Sequence, residues 1–421
     1  MIHVRGSPSP APLLPRRFGQ AGELKNRAMR ICLDCTPLLG PSAGVKTYLW
    51  YLNRHLRSLP GAQQVLSFPL PLNGRSFLNQ GSQLNHEGSV FGPHATTAYS
   101  VLARSFSLER SPLPSLLGTW VDVFHASNLA RHPPSNTCLT ATMFDATCWR
   151  MPEMHTSATV RNEMVFAERI LQHARGVIAI SESTRRDAVE YLGLDPDRVV
   201  TIYPGVADAY FESIEPETLS GLRRKYRLPE RYILFVGTIE PRKNVDRLLD
   251  AYLQLPAPLR DEVPLLLAGM EGWASELTIA RLRSLSPQVR YLGYVPELEL
   301  HALTAGAEVL AYPSLYEGFG LPVAQAMAAG VPVITSPCGA LAEVTGGAAL
   351  LVDPLSPGEI AAALARILTS ASLRQELTRR GRNRAQRFRW QVSAPRVLNF
   401  FEEVAGKGLP AGMAASLTTS A

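Results

Sequence analysis

In the stretch LYEGFGLPVAQAMAAGVPVITS a single acid, Glu317, precedes two closely spaced glycines, and an amide, Gln325, follows eight residues after the acid. Pro322 suits the first turn of a helix, where its missing N–H would find no partner anyway, and Gly330 before Pro332 marks a stop. The pattern predicts a helix over 322–329. Gly318 and Gly320 let the backbone approach a ligand closely, and the amides of Phe319, Gly320 and Leu321 stand at the helix start, where hydroxyl oxygens or anions are favoured. Glu317 then accepts from sugar hydroxyls. Gln325, one turn into the helix and leaning toward its start, reaches the same ligand. A plain turn in which Glu317 caps local amides is the competing reading.

The second constellation is FVGTIEPRKN. A buried strand ends at Gly237, Thr238 follows, and Arg242 and Lys243 come just before a helix opened by Asn244 and Asp246. Two cations at a helix start make a diphosphate site, with solvated surface charge as the alternative. In LLGPSAGVKTYLWYL, Gly40 and Gly44 bracket a loop between strand and helix, where a phosphate or acceptor can come near the backbone. GxGxxG is absent, so a dinucleotide is not implied. His125 in DVFHAS and Asp145 in TATMFDAT end two predicted strands; each is a candidate catalytic group in a cleft or else a satisfied structural one.

The elements that must hold these residues form two series. From Met29 the runs MRICLDC, VDVFHAS, CLTATMF, GVIAIS and VVTIYPG alternate with helical stretches, which implies crossover units and a parallel sheet. YILFVG, PLLLAG, VRYLGYV, AEVLAYPS, VPVITS and ALLVDP make a second doubly wound sheet, entered through a helix over 216–226. The boundary falls at 204–207, and residues 70–116, rich in Ser, Asn, Gly and Pro, read as a long loop with one helix. The fold class is α/β, two doubly wound sheets facing across a cleft, with chemistry at the carboxyl ends of the strands.

A chain of 421 residues with 46% hydrophobic content supports two domains. The net charge of +6 is concentrated at the start: residues 1–28 carry +4, residues 29–205 carry +2, and the remainder is neutral. That distribution argues against a nucleic-acid partner, and the tail 1–28 reads as disordered and dispensable. There is no long apolar run and no leader-like apolar stretch, so a cytoplasmic protein is expected. Five cysteines, odd in number and set in apolar runs, read as buried thiols rather than a metal site, Cys32 and Cys35 included. The helix over 45–59 has Val45, Tyr48, Leu49, Leu52, Leu56 and Leu59 as its core stripe. Trp50 with Lys46, Arg54 and Arg57 makes either a solvated face or a contact with an anionic membrane surface.

FVGTIEPRKN, LYEGFGLPVAQAMAAGVPVITS, GVIAISESTRRD and IYPGV resemble the retaining glycosyltransferases of family 4, across 29–405. The resemblance implies a GT-B fold: an acceptor domain over 29–205, a nucleotide-sugar domain over 206–388, a helix over 389–405 crossing back, and a tail over 406–421. It implies that Glu317 holds donor-sugar hydroxyls, that Arg242 and Lys243 hold the leaving diphosphate, and that Val295 lies near the base. No metal or cofactor is implied; the sugar nucleotide is the co-substrate, and a glycan or lipid-linked acceptor is the partner. The sequence departs from the family at three points: Gln325 stands where a second Glu binds ribose, Phe144 precedes Asp145 where a His is frequent, and Thr238 replaces an Arg. Members with GTxEPRKN resemble mannosyltransferases of surface-polysaccharide assembly, so GDP-mannose is the expected donor. A sugar-nucleotide binder without catalysis and a nucleotide-sugar epimerase are the rival expectations.

Overall fold

Among the described residues the apolar runs become strands of two parallel sheets, twelve strands in all. In the computed structural model, residues 28–406 are described apart from 42–43, 62–63, 70–83, 85–86, 92 and 107–112. Nearly all of the two expected tails therefore lies outside the described residues.

The first sheet runs β2-β1-β3-β4-β5-β6, with β1 Arg30–Asp34, β2 Gln64–Phe68, β3 Val123–Ala126, β4 Cys138–Met143, β5 Gly176–Ala179 and β6 Val199–Thr201. β3, β4, β5 and β6 are buried along their whole length, as expected of parallel strands covered on both faces by helices. β2 was not anticipated. As an edge strand it alternates buried Val65 and Ser67 with more exposed neighbours, which dilutes the apolar signal. Two helices, Pro93–Phe106 and Leu113–Trp120, stand in the region read as a loop with one helix.

The second sheet runs β12-β11-β10-β7-β8-β9, with β7 Ile233–Val236, β8 Leu265–Ala268, β9 Val289–Tyr291, β10 Val309–Tyr312, β11 Val333–Thr335 and β12 Leu350–Leu351. Strand order reverses between β1 and β3 and between β7 and β10. A doubly wound sheet opens its ligand crevice beyond the carboxyl ends at such a point.

Two chain crossings join the sheets, and the Val206 N–H donates to the Phe388 carbonyl at 2.7 Å where they meet. Gly205 lies so close to the Trp390 indole that a Cβ there would come within 2.3 Å of it. The helix Trp390–Gly406 then returns to the first domain, its Trp390 ring stacking on His55 at 5.5 Å.

The helix Gly44–Ser58 buries Tyr48, Leu49, Leu52 and Leu56 of its expected stripe and leaves Val45 and, just past its end, Leu59 half-buried, but Trp50 and Lys46 are buried as well, at 5% and 0% exposure. Lys46 Nζ donates to the carbonyls of Gly40 and Gly88, tying down the preceding loop. The membrane-facing reading of Trp50 and Lys46 is therefore corrected: neither reaches the surface. No helix among the described residues is long and apolar enough to cross a membrane. All five thiols are free; burial pushes Cys35 up to about 12, keeping it protonated.

Candidate active site

β10 ends at Tyr312, and the loop after it turns into the helix Leu321–Ala329, with Gly320 at φ 86° before it and Gly330 at φ 81° after it. Both glycines occupy the left-handed region that other residues adopt only under strain. The loop places Glu317 at 7% exposure, facing β7's exit across the strand reversal. β7 leads into the turn Pro241–Lys243, and Asn244 follows at φ 61°. The Asn244 amide does not cap the next helix. It donates to the carbonyls of Pro313 and Pro354, fastening this turn to the Glu317 loop.

Arg242 and Lys243 meet Glu317 directly. Lys243 Nζ lies 2.6 Å from Glu317 Oε1, Arg242 Nη1 lies 3.0 Å from Oε2, and the Tyr312 hydroxyl donates to Oε1 at 3.0 Å. Arg242 Nη2 also donates to Glu240 Oε1 at 2.7 Å, so two acids and two cations share one buried cluster. Burial alone would raise the Glu317 carboxyl, but Arg242 and Lys243 outweigh it and hold it at about 2. Burial lowers Lys243 and Arg242 too; the paired carboxylates prevail and leave both above their ordinary range. Glu317, Arg242 and Lys243 are therefore held in their charged forms, while burial raises the Glu240 carboxyl against the pull of the same two cations.

A cavity of about 370 Å³ lies over this cluster, between the two domains. Gly237, Thr238, Val295 and Gln325 line it, as do Gly318, Phe319, Gly320 and Leu321. The amides of Phe319, Gly320 and Leu321 have no hydrogen-bond partner among the described residues, which leaves them for a ligand oxygen. From the first domain come Gly44 and Asp145. Asp145 Oδ1 accepts from the Thr147 N–H at 2.9 Å and from the Thr147 hydroxyl, a local turn that fixes the carboxylate at the cavity wall. Gly318 closes the cavity: a Cβ on it would stand 1.9 Å from the Phe144 carbonyl oxygen.

His125 and Gly40 are not brought to the cavity. His125 is 1% exposed, its ring nitrogens lie 3.0 Å from Thr140 Oγ1 and 2.8 Å from Thr142 Oγ1, and Phe401 meets it edge-on at 5.1 Å. Burial lowers it to about 3, so it is a neutral core imidazole and not an acid-base group. Gly40 serves through its carbonyl as an acceptor for Lys46.

The structure adds residues that sequence reasoning missed. Glu240 sits inside the FVGTIEPRKN motif, two residues before Arg242, and that spacing was a usable signal. Tyr312 closes β10 and bridges Lys243 to Glu317, which shows only once β7 and β10 are neighbours. Glu297 lines the cavity near Val295, with Oε1 buried and unpartnered; burial pushes its carboxyl up to about 7.

Two facing doubly wound sheets with an anion-receptive cavity between them define a GT-B architecture. The match to known proteins agrees: residues 43–210 fit the model of Glycosyltransferase Family 4, and residues 222–384 fit that of glycosyl transferases group 1. The chain is 30% identical over 385 residues to the O-antigen chain mannosyltransferase B of Escherichia coli, covering 89% of this chain and all of that one. Among solved structures, sucrose-phosphate synthase from Thermosynechococcus elongatus superposes with a TM-score of 0.66 at 21% identity, covering 89% of this chain and 99% of that one. Anabaena HepE in complex with UDP and glucose superposes with a TM-score of 0.64 at 18% identity, covering 89% and 100%. The chain belongs to the family 4 glycosyltransferases of GT-B fold, and it is a glycosyltransferase.

Proposed function

We propose that the chain transfers mannose from GDP-mannose, with retention of anomeric configuration, to a lipid-linked or polysaccharide acceptor. The observation that carries the reading is the buried Glu317–Arg242–Lys243 cluster at the β7/β10 reversal, with bared amides beside it. In this reading Arg242 and Lys243 neutralise the diphosphate as it departs, and the amides before Leu321 supply further positive charge at no reorganisation cost. Neither a metal nor a cofactor takes part. Glu317 accepts from hexose hydroxyls while it orients the two cations. Mannose as the sugar is favoured by the similarity, along the whole of its length, to the Escherichia coli mannosyltransferase. Guanine as the base is favoured by Glu297, because a buried carboxyl near Val295 with its Oε1 unpartnered matches a base edge with adjacent N–H donors, which would favour its ionised form and which uracil does not offer. Gln325 supplies an amide where a ribose hydroxyl can donate or accept.

A second reading, a sugar-nucleotide binder without turnover, is favoured by Gln325 and Phe144, each standing where the family often carries a stronger group. One experiment separates the two. Incubation with GDP-mannose, UDP-glucose and UDP-galactose, with and without a mannan oligosaccharide, is expected to release nucleoside diphosphate from GDP-mannose alone and only with acceptor, giving an α-linked product by NMR. Release from a UDP-sugar instead would overturn the donor. Binding of GDP-mannose with no release would establish the second reading.

A further inference from the structure

The motif SESTRRD, which the donor-site account leaves without a role, builds the start of the first-domain helix Glu182–Leu192. A helix cannot satisfy its own leading amides. Here the Glu182 N–H donates to Glu343 Oε1 at 2.8 Å and the Ser183 N–H to Glu343 Oε2 at 3.1 Å, so one carboxylate from the other domain takes both. The Tyr203 hydroxyl donates to the same Oε1 at 2.8 Å. One turn along, the Tyr316 hydroxyl donates to Asp187 Oδ2 and lies 3.1 Å from Ser183 Oγ, with the Arg150 guanidinium 4.9 Å over the Tyr316 ring. Thr184 Oγ1 donates to the Gly318 carbonyl at 3.2 Å.

These contacts converge on one residue. Tyr316 and Gly318 flank Glu317, and the Glu317 carbonyl accepts from the Ala340 N–H at 2.9 Å, three residues before Glu343. Arg384 donates to the carbonyls of Glu343 and Val344 and so fixes that segment to its own domain. Glu343 does not line the cavity. A charged acceptor on two leading amides is a stronger tie than a neutral hydrogen bond, and the helix start favours negative charge.

We propose that Glu343 is a positioning residue for transfer: by gripping the start of the Glu182–Leu192 helix it, together with Tyr316, sets the loop that carries Glu317 and couples closure of the domains to the grip on the hexose. The proposal rests on the reading of Glu317 as the hexose contact. It makes SESTRRD one half of an inter-domain latch and the Tyr316–Glu343 segment the other.

The test uses the full chain and the variants Glu343→Gln, Tyr316→Phe and their combination. X-ray scattering in the absence of ligand is expected to show a larger radius of gyration in the variants, most in the double variant. With GDP-mannose and acceptor, kcat is expected to fall about tenfold or more in Glu343→Gln, with KM for the donor changed by less than about threefold. The double variant is expected to lose less than the product of the single losses, because both act on one latch. Unchanged scattering in the double variant, or a loss carried wholly by KM, overturns the proposal. Should GDP-mannose fail as donor for the wild-type chain, the scattering result still decides the latch, and the donor reading alone falls.

Discussion

Replacing Glu317 by glutamine is expected to lower turnover by about 10²–10³-fold, the range seen when one preorganised electrostatic contact to a transition state is removed. The side chain has two cationic partners, Lys243 at 2.6 Å and Arg242 at 3.0 Å, and accepts as well from the Tyr312 hydroxyl at 3.0 Å; both cations line the cavity. Glutamine keeps the shape but returns one donor and no charge, so the cations lose their orientation and the hexose loses a charge-assisted acceptor. Glu317→Ala should cost more than activity. It leaves Lys243 and Arg242 buried with Glu240 as the remaining carboxylate of the cluster, and breaking a buried pair from one side costs about 3–5 kcal/mol. Thermal unfolding of the two variants beside diphosphate release from donor and acceptor checks both parts. Near-normal turnover in Glu317→Gln would remove the residue from the site. An alanine variant as stable as the wild type would contradict the ion-cluster account.

Gly318→Ala should be nearly as damaging for a different reason. The backbone at Gly318 is not in the left-handed region, so alanine carries no conformational strain there. The cost is spatial. The new methyl would sit 1.9 Å from the Phe144 carbonyl oxygen and 2.8 Å from Asp145 Cβ, both in the other domain. Neither neighbour is the far end of a flexible side chain, so the domains must part. A shift of about 1 Å between reacting groups is enough for a loss of about 10²-fold. The expected result is a fall in kcat of that order, with a melting midpoint close to that of the wild type, because each domain keeps its own core. Gly320→Ala makes the control: at φ 86°, with Leu341 Cδ2 2.5 Å from the added Cβ, it strains the second domain itself and lowers the midpoint. Full turnover in Gly318→Ala would mean that the domains do not approach this closely during transfer.

The second domain was legible in the sequence because its strands are short apolar runs bounded by Gly and Pro, and its helices carry clear stops. Pro216 and Tyr226 bound a helix at the expected residues, and Gly330 ends the helix after the Glu317 loop. The Arg-Lys pair was read as cations beside a phosphate, and the acid as a sugar contact, each separately. That the three form one cluster depends on β7 lying next to β10, where Val309 pairs with Ile233 far back along the chain. The first domain was harder. His125 lies inside its strand, in register with Leu33 and Thr140 in the middle of a sheet, and its ring meets Phe401 of the returning helix, a contact that strand pattern cannot reveal. Trp50 and Lys46 were read as surface from helical periodicity. The helix that holds them is hemmed in by the sheet and by the returning helix, whose Trp390 stacks on Tyr51 at 6.3 Å. The crossing helix and the position of Val295 came from family resemblance and not from pattern.

The most direct test of the central claim is the structure of the full chain with GDP-mannose bound. The account predicts pyrophosphate oxygens within about 3 Å of Arg242 and Lys243, with a hexose hydroxyl donating to Glu317. A pyrophosphate bound away from the two cations, with Glu317 still closed on them and no sugar in reach, would contradict it.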